Sequence, residues 1–333
     1  MMTSGIGSFP FVDIDEAIDI VFSTCPEVPF WPQLPKRSAL ENMYGTFLEG
    51  VPCLRFDDSG QVSYMDTGET EGIEAFYENY FAENLESFAL SPRVAPGFYR
   101  FLERIPDVID RVKYIKGQIM GPFSMGLGLK DEEGKAILYN DAYFDIVKKA
   151  LRMKAQWMIA TFRDRFPGKE LIIFFDEPYL VSFGSAYVSV SREAAIALLN
   201  EVLGGLGVRR GIHCCGNTDW SVLFNADIDI INYDAYEYRE TIFYYPNDVK
   251  LFFEKGGSIA PGIVPSSEKV MHSSPKELAG NWTDFLKKAT SAGVATDTQN
   301  WIITPSCGLG SLTPEQARRA MELLKELPGA LET

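Results

Sequence analysis

Short apolar runs that end in Gly, Pro, Asp or Cys alternate with longer amphipathic stretches through most of this chain, and that alternation leaves few folds open. It is the pattern of repeated βα units, in which parallel strands are separated by helices that return over the sheet. Strands are expected near residues 5–9, 114–120, 171–175, 210–214, 228–233, 258–264 and 301–304. An eighth near 51–56 would complete an α/β fold of the (β/α)8 TIM-barrel type. The segment from about residue 31 to 92 is irregular and acidic, and reads as an elaborated loop or hairpin after the first unit. No linker, repeat or break in composition marks a second domain, so residues 1–333 are expected to form a single one.

The helices are marked at their starts. Ser274-Pro-Lys-Glu277 and Thr313-Pro-Glu-Gln316 each combine a capping hydroxyl, a proline at the first helical position and an acid or amide three residues after the cap. Apolar residues follow at helical spacing: Leu278, Trp282 and Phe285 after the first, and Ala317, Ala320, Met321 and Leu324 after the second. Those stripes read as core. Stretches 141–162 and 191–203 fit an outer helical ring in the same way.

With 46% hydrophobic residues, the 333-residue chain can bury a large core. Its 46 acidic residues outnumber 31 basic ones, a formal charge of −15, which argues against nucleic acid or an anionic membrane surface as a main partner. The start lacks the basic and apolar regions of a signal peptide, and no apolar stretch reaches the roughly 18 residues of a membrane span. A cytoplasmic location is expected.

Five cysteines, an odd number, do not suggest a disulfide framework. Cys25 and Cys53 sit among apolar neighbours and read as core. Of the two histidines, His272 precedes a predicted helix and reads as surface. His213 lies in Gly211-Ile-His-Cys-Cys-Gly-Asn217, where it and Cys215 face one side of a strand while Cys214 faces the helical layer. Cys307, in Ile303-Thr-Pro-Ser-Cys-Gly-Leu309, follows another strand.

In a parallel barrel the C-terminal strand ends converge on one face. Ser8, Asp176, Glu177, His213, Cys215, Asp234 and Cys307 all fall at such ends. Imidazole with two thiolates is a donor set suited to zinc. The gap from residue 215 to 307 is wrong for a structural zinc knuckle, so the set points to a catalytic metal site.

Ile6-Gly-Ser-Phe-Pro10, Asp176-Glu-Pro178, His213-x-Cys215 and Cys307-Gly-Leu309 occur in the order found in the C-terminal catalytic barrel of cobalamin-independent methionine synthase. The chain resembles that superfamily, which also includes methylcobamide-dependent thiol methyltransferases and uroporphyrinogen decarboxylase, from residue 4 to about 325. The resemblance implies zinc on His213, Cys215 and Cys307. A further acidic ligand falls at Asp234 when its strand is aligned on hydrophobic pattern, with Glu237 as the competitor. It also implies that Ile6, Gly7 and Ser8 hold the carboxylate of an amino-acid substrate while Asp176 pairs with its ammonium.

A zinc site of that composition would carry a formal charge of −1 and make a bound substrate thiol into a nucleophilic thiolate, able to attack an electrophilic methyl carbon. The implied activity is a zinc-dependent thiol methyltransferase, with homocysteine the first candidate acceptor and methionine the product. The chain departs from the family in two respects. It has only one barrel where the full-length enzymes have two, and the segment Ala260-Pro-Gly-Ile-Val-Pro-Ser-Ser267 lacks the proton-donating histidine. Both departures point toward methylcobalamin or a corrinoid protein rather than folate as methyl donor. The alternatives are a methylcobamide-dependent enzyme acting on another thiol, and a non-catalytic barrel that binds zinc or a corrinoid protein. Uroporphyrinogen decarboxylase chemistry does not fit, since its polyanionic substrate calls for an arginine-rich cleft.

Overall fold

The computed structural model describes residues 1–294 and 301–331. Among the described residues nine strands run in chain order: β1 (Met2–Thr3), β2 (Leu54–Phe56), β3 (Val62–Met65), β4 (Tyr114–Met120), β5 (Glu170–Asp176), β6 (Arg209–Cys214), β7 (Ile230–Asp234), β8 (Ser258–Val264) and β9 (Ile302–Pro305). Seven of them form one curled, wholly parallel sheet in the order β1-β9-β8-β7-β6-β5-β4. β4 to β9 match the strands expected from sequence to within about two residues, the usual uncertainty of strand ends.

Two expectations are corrected. The first strand is β1, ahead of residues 5–9, which form a turn beyond its C-terminal end. The segment 51–56 does not join the sheet; β2 instead pairs antiparallel with β3 in a separate hairpin. What lies between the sheet edges is residues 27–33. Lys113 and Tyr114 N–H groups donate to Glu27 O, and Lys116 N donates to Pro29 O. On the other side Gln33 N donates to Gly7 O and Phe9 N to Gln33 O. Only isolated bridges result, Phe30 to Lys116 and Ser8 to Gln33. Pro29 and Pro32 have no N–H for a ladder, so this stretch is irregular and a regular eight-unit barrel is not formed.

The parallel strands are buried on both faces, as helices on the outside require. On β5, Ile173 and Phe175 join the large outer core with the helices, while Ile172 and Phe174 belong to a small inner cluster with Met2, Val28, Ile230, Ala260 and Ile302. The outer layer includes helices Asp141–Arg165, Arg192–Leu203, Pro275–Ser291 and Pro314–Ala330. Ser274 Oγ caps the third through Glu277 N at 3.2 Å, and Thr313 with Gln316 forms the full capping box of the fourth. Their expected core stripes are buried. Among the described residues no helix is long and apolar enough to cross a membrane.

Segment 31–92 is more ordered than its sequence suggests. It contains a short helix at Met43–Phe47, the β2–β3 hairpin and a helix at Ile73–Phe81. Asn42 caps the first through Tyr44 N and Gly45 N, at 2.8 and 2.9 Å. This segment carries one wall of the cavity described next.

Candidate metal centre

Inward-facing residues alternate along each strand, so the polar ends of β5, β6, β7 and β9 meet above the inner apolar cluster. Parallel register sets Asp176 beside His213, and His213 beside Asn232. Cys215 follows β6 and Cys307 follows β9. One donor atom each from His213, Cys215 and Cys307 lies within 4.8 Å of the other two, the single such group among the described residues.

The tautomer of the histidine is fixed by the residues around it. Asn232 Nδ2 donates to Ala260 O at 2.5 Å and to Thr304 Oγ1 at 2.8 Å, while Thr304 Oγ1 donates to Pro305 O at 2.8 Å. Because Ala260 O can only accept, the amide orientation is fixed and Asn232 Oδ1 is the atom facing His213 Nδ1, at 2.5 Å. Nδ1 must therefore hold the proton, and Nε2 keeps a bare lone pair. Nε2 is buried without a hydrogen-bond partner. Burial pushes His213 down to about 4, with Asn232 opposing, so the ring is neutral at pH 7. A metal-ligating histidine with its other nitrogen tied by a second layer of residues has this arrangement.

The two thiols act on one another. The Cys307 side chain, hydrogen-bonded to Cys215, lowers the Cys215 thiol below its ordinary value, and the same contact raises Cys307 well above. A soft cation bound between the two sulfurs would displace their protons. Imidazole and two thiolates, converging with an unpartnered nitrogen, fit Zn²⁺. Cys214, on the other face of the strand, is fully buried and donates to Gly216 O at 3.6 Å; Cys25 and Cys53 are buried and His272 is exposed. All four lie where the sequence put them.

The acidic candidates separate. Asp234 Oδ1 accepts from Tyr236 N and Glu237 N, at 3.0 and 2.9 Å, closing a tight turn. Burial pushes its carboxyl up to about 6, and its charge is felt at Cys215. Glu237 is exposed and paired with Lys269 at 2.6 Å. Neither belongs to the three-atom group. Glu177, one residue past Asp176, turns away to bind the Phe123 and Ser124 N–H groups at 2.9 and 2.7 Å, so its role is to hold a neighbouring loop.

The group opens into a cavity of about 320 Å³. Ile6 and Ser8 line it, with Asp176, His213, Cys215 and Cys307. Gly7 does not line it; a Cβ there would come within 2.8 Å of Gln118 Nε2. Ser8 is packed against the Cys307 loop: Leu309 N donates to Ser8 O at 2.9 Å, Gly310 N to Ser8 Oγ at 3.3 Å, and a Cβ on Gly308 would collide with Ser8 Oγ. Asp176 is 7% exposed and its Oδ1 has no partner. Burial pushes Asp176 up to about 7, with Lys116 opposing.

Several residues in or beside the site were not anticipated. Asn232 and Thr304 had a readable signal, a polar residue on the inward register of an otherwise apolar strand. Gln33 and Glu41 had none, since they come from the irregular segment. Glu41 is 3% exposed; Arg37 Nε stands 3.1 Å from its Oε1 but off the line of a hydrogen bond, leaving that oxygen unpartnered. Burial pushes Glu41 up to about 7, with Arg37 opposing.

No protein-family model matches the chain, and no curated protein matches it. Among solved structures, a B12-independent methionine synthase from Shewanella sp. W3-18-1, in complex with selenomethionine, is similar over 70% of this chain and 66% of that chain, at 21% identity and a TM-score of 0.47. An uncharacterized protein is similar over 71% of this chain and 44% of that one, at 15% identity and a TM-score of 0.22. The chain spans less than two thirds of the length of either.

Proposed function

We propose that this protein is a zinc-dependent methyltransferase that methylates a thiol, with homocysteine as the leading acceptor. The observation that carries the reading is a ring nitrogen of His213 within 4.8 Å of two cysteine sulfurs on the wall of an open cavity, with the buried Nε2 left without a hydrogen-bond partner. A storage site would close around its ion, whereas a catalytic one leaves a position for substrate. When bound there, Zn²⁺ would supply the Lewis acidity that removes the proton of an incoming thiol and holds its sulfur for attack on a methyl carbon.

The chain's own residues would do the rest. Asn232, anchored by Ala260 and Thr304, keeps the imidazole in the ligating tautomer. Asp176, with a free oxygen at the cavity, would pair with an ammonium group, and the turn at Ile6, Gly7 and Ser8 would take a carboxylate. Asp234 is favoured over Glu237 as a further acidic ligand, since Glu237 is committed to Lys269. The acidic lining from Asp176 and Glu41 also favours an amino thiol over a sulfonated one, the point that separates this reading from a methylcobamide-dependent enzyme for another thiol.

Zinc analysis, followed by a screen of homocysteine and other thiols against methylcobalamin and methylated folate, tests the reading. A methylated thiol formed only with zinc and from methylcobalamin would support it together with a corrinoid donor. Formation from methylated folate alone would remove the corrinoid donor. Zinc held without any thiol being bound or methylated would leave a non-catalytic binding barrel.

A further inference from the structure

β4 carries a lysine on its inner face, 2% exposed, in register with Ile172. Lys116 Nζ donates to Ile6 O at 2.7 Å and lies 4.9 Å from the ring centre of Phe174 and 5.5 Å from that of Phe30. Burying an ammonium is strongly unfavourable unless hydrogen bonds and opposite charge compensate. Here the compensation is a carbonyl, two ring faces and the nearby Asp176. Burial pushes Lys116 down to about 8, with Asp176 opposing; the Ile6 carbonyl, the two ring faces and Asp176 all favour its charged form.

The carbonyl it holds opens the turn at Ile6, Gly7 and Ser8. That turn lies directly on the inner side chains. A Cβ on Gly5 would run into the Phe30 ring, and one on Gly7 into Gln118. At its far end Ser8 is tied to the backbone of residues 309 and 310. The turn is therefore clamped at both ends, by Lys116 below and by the Cys307 loop above, while Ile6 and Ser8 face the cavity. The charge of Lys116 is positive beneath a cavity lined by the acidic Asp176 and Glu41.

We propose that Lys116 is a positioning residue: its bond to the Ile6 carbonyl and its buried positive charge make the turn at Ile6, Gly7 and Ser8 a subsite for the carboxylate of the acceptor thiol. This rests on the thiol-binding reading above and adds a residue to it. Lys116 touches no reacting atom. It acts through the turn.

The test measures binding of three thiols to the zinc-loaded full chain by calorimetry. Homocysteine carries carboxylate and ammonium, 3-mercaptopropionate carboxylate alone, and cysteamine ammonium alone. Lys116→Met is expected to weaken the two carboxylates by about tenfold or more, the scale of a lost charge-assisted contact. Cysteamine should change less than about twofold, and zinc content not at all. Lys116→Gln keeps an N–H donor in the buried position and is expected to give the same split with a smaller loss, which covers the case that the methionine variant does not fold. Equal weakening of all three thiols, or of none, overturns the proposal. Should the unsubstituted protein bind cysteamine as well as the carboxylates, the subsite is wrong while thiol binding stands; should it bind no thiol, both readings fall together.

Discussion

The inner face of the sheet changes character along its own strands. At the N-terminal end Met2, Ile172, Ile230 and Ile302 pack with Phe174 and Ala260 into an apolar plug. A few residues further along the same pleat, Asp176, His213, Asn232 and Thr304 face the same interior, also buried. The first set removes apolar surface from water and ties five strands together, β1, β5, β7, β8 and β9. The second holds two buried atoms with no partner, His213 Nε2 and Asp176 Oδ1, each unfavourable by about 1–3 kcal/mol if left that way. One end of the sheet stabilises the fold; the other is held in place by it and is satisfied only by something that binds. Stability at the bottom and chemistry at the top is the usual division in parallel barrels.

That division can be broken by substitutions at either end. The largest effect is expected for Cys307→Ala, which should take zinc from about one per chain to none retained through dialysis, with the unfolding midpoint of the metal-free protein nearly unchanged. Metal analysis decides it, and undiminished zinc would remove Cys307 from the site. At the other end, Ile172→Ala should reduce stability by about 2–5 kcal/mol in denaturant titration while zinc affinity stays put. A variant that lost zinc instead would show that the plug and the site are not separable.

Between the ends stands Asn232. Asn232→Ala should lower zinc affinity by about 10–100-fold in chelator competition, the scale for a residue that orients a ligand without touching the metal. An affinity within twofold of the unsubstituted protein would mean that the imidazole needs no tautomer lock. The smallest effect concerns pH. His213 sits at about 4 in the metal-free fold, below its ordinary 6.5. The unfolded chain therefore takes up that proton first as pH falls, so the contribution of this group is intact above 6.5 and is lost downward through 4. From pH 6.5 to 5 the loss is about 1.5 kcal/mol, with the slope rising from half of 1.36 kcal/mol per unit toward the full value, and His213→Gln should lack it. Parallel pH dependence in both proteins would place the buried imidazole elsewhere.

Much of this site was legible before any coordinates. Alternation along a strand assigned His213 and Cys215 to one face and Cys214 to the other, and the helix starts at Ser274 and Thr313 were written in their capping residues. The second layer was only half legible. Asn232 interrupts Ile230-Ile-Asn-Tyr-Asp234 on the inward register, and Lys116 interrupts β4 in the same way, but a polar residue in a strand does not name its partner. The eighth strand failed for a local reason: residues 51–56 have the composition of a strand and do form one, though against β3.

The sequence by itself determined the βα rhythm, the faces of the strands and the placing of His213, Cys215 and Cys307 at strand ends, because those depend on a period of two or 3.6 residues and on the chemistry of single side chains. Tertiary structure alone decided that Cys307 meets Cys215 within 4.8 Å, that Asn232 rather than a carboxylate orients His213, and that Gln33 and Glu41 reach the cavity. It also decided that residues 27–33 stand between the sheet edges. Each of those depends on strand register and sheet curl, which are set by packing between residues far apart in the chain and leave no periodic trace in it.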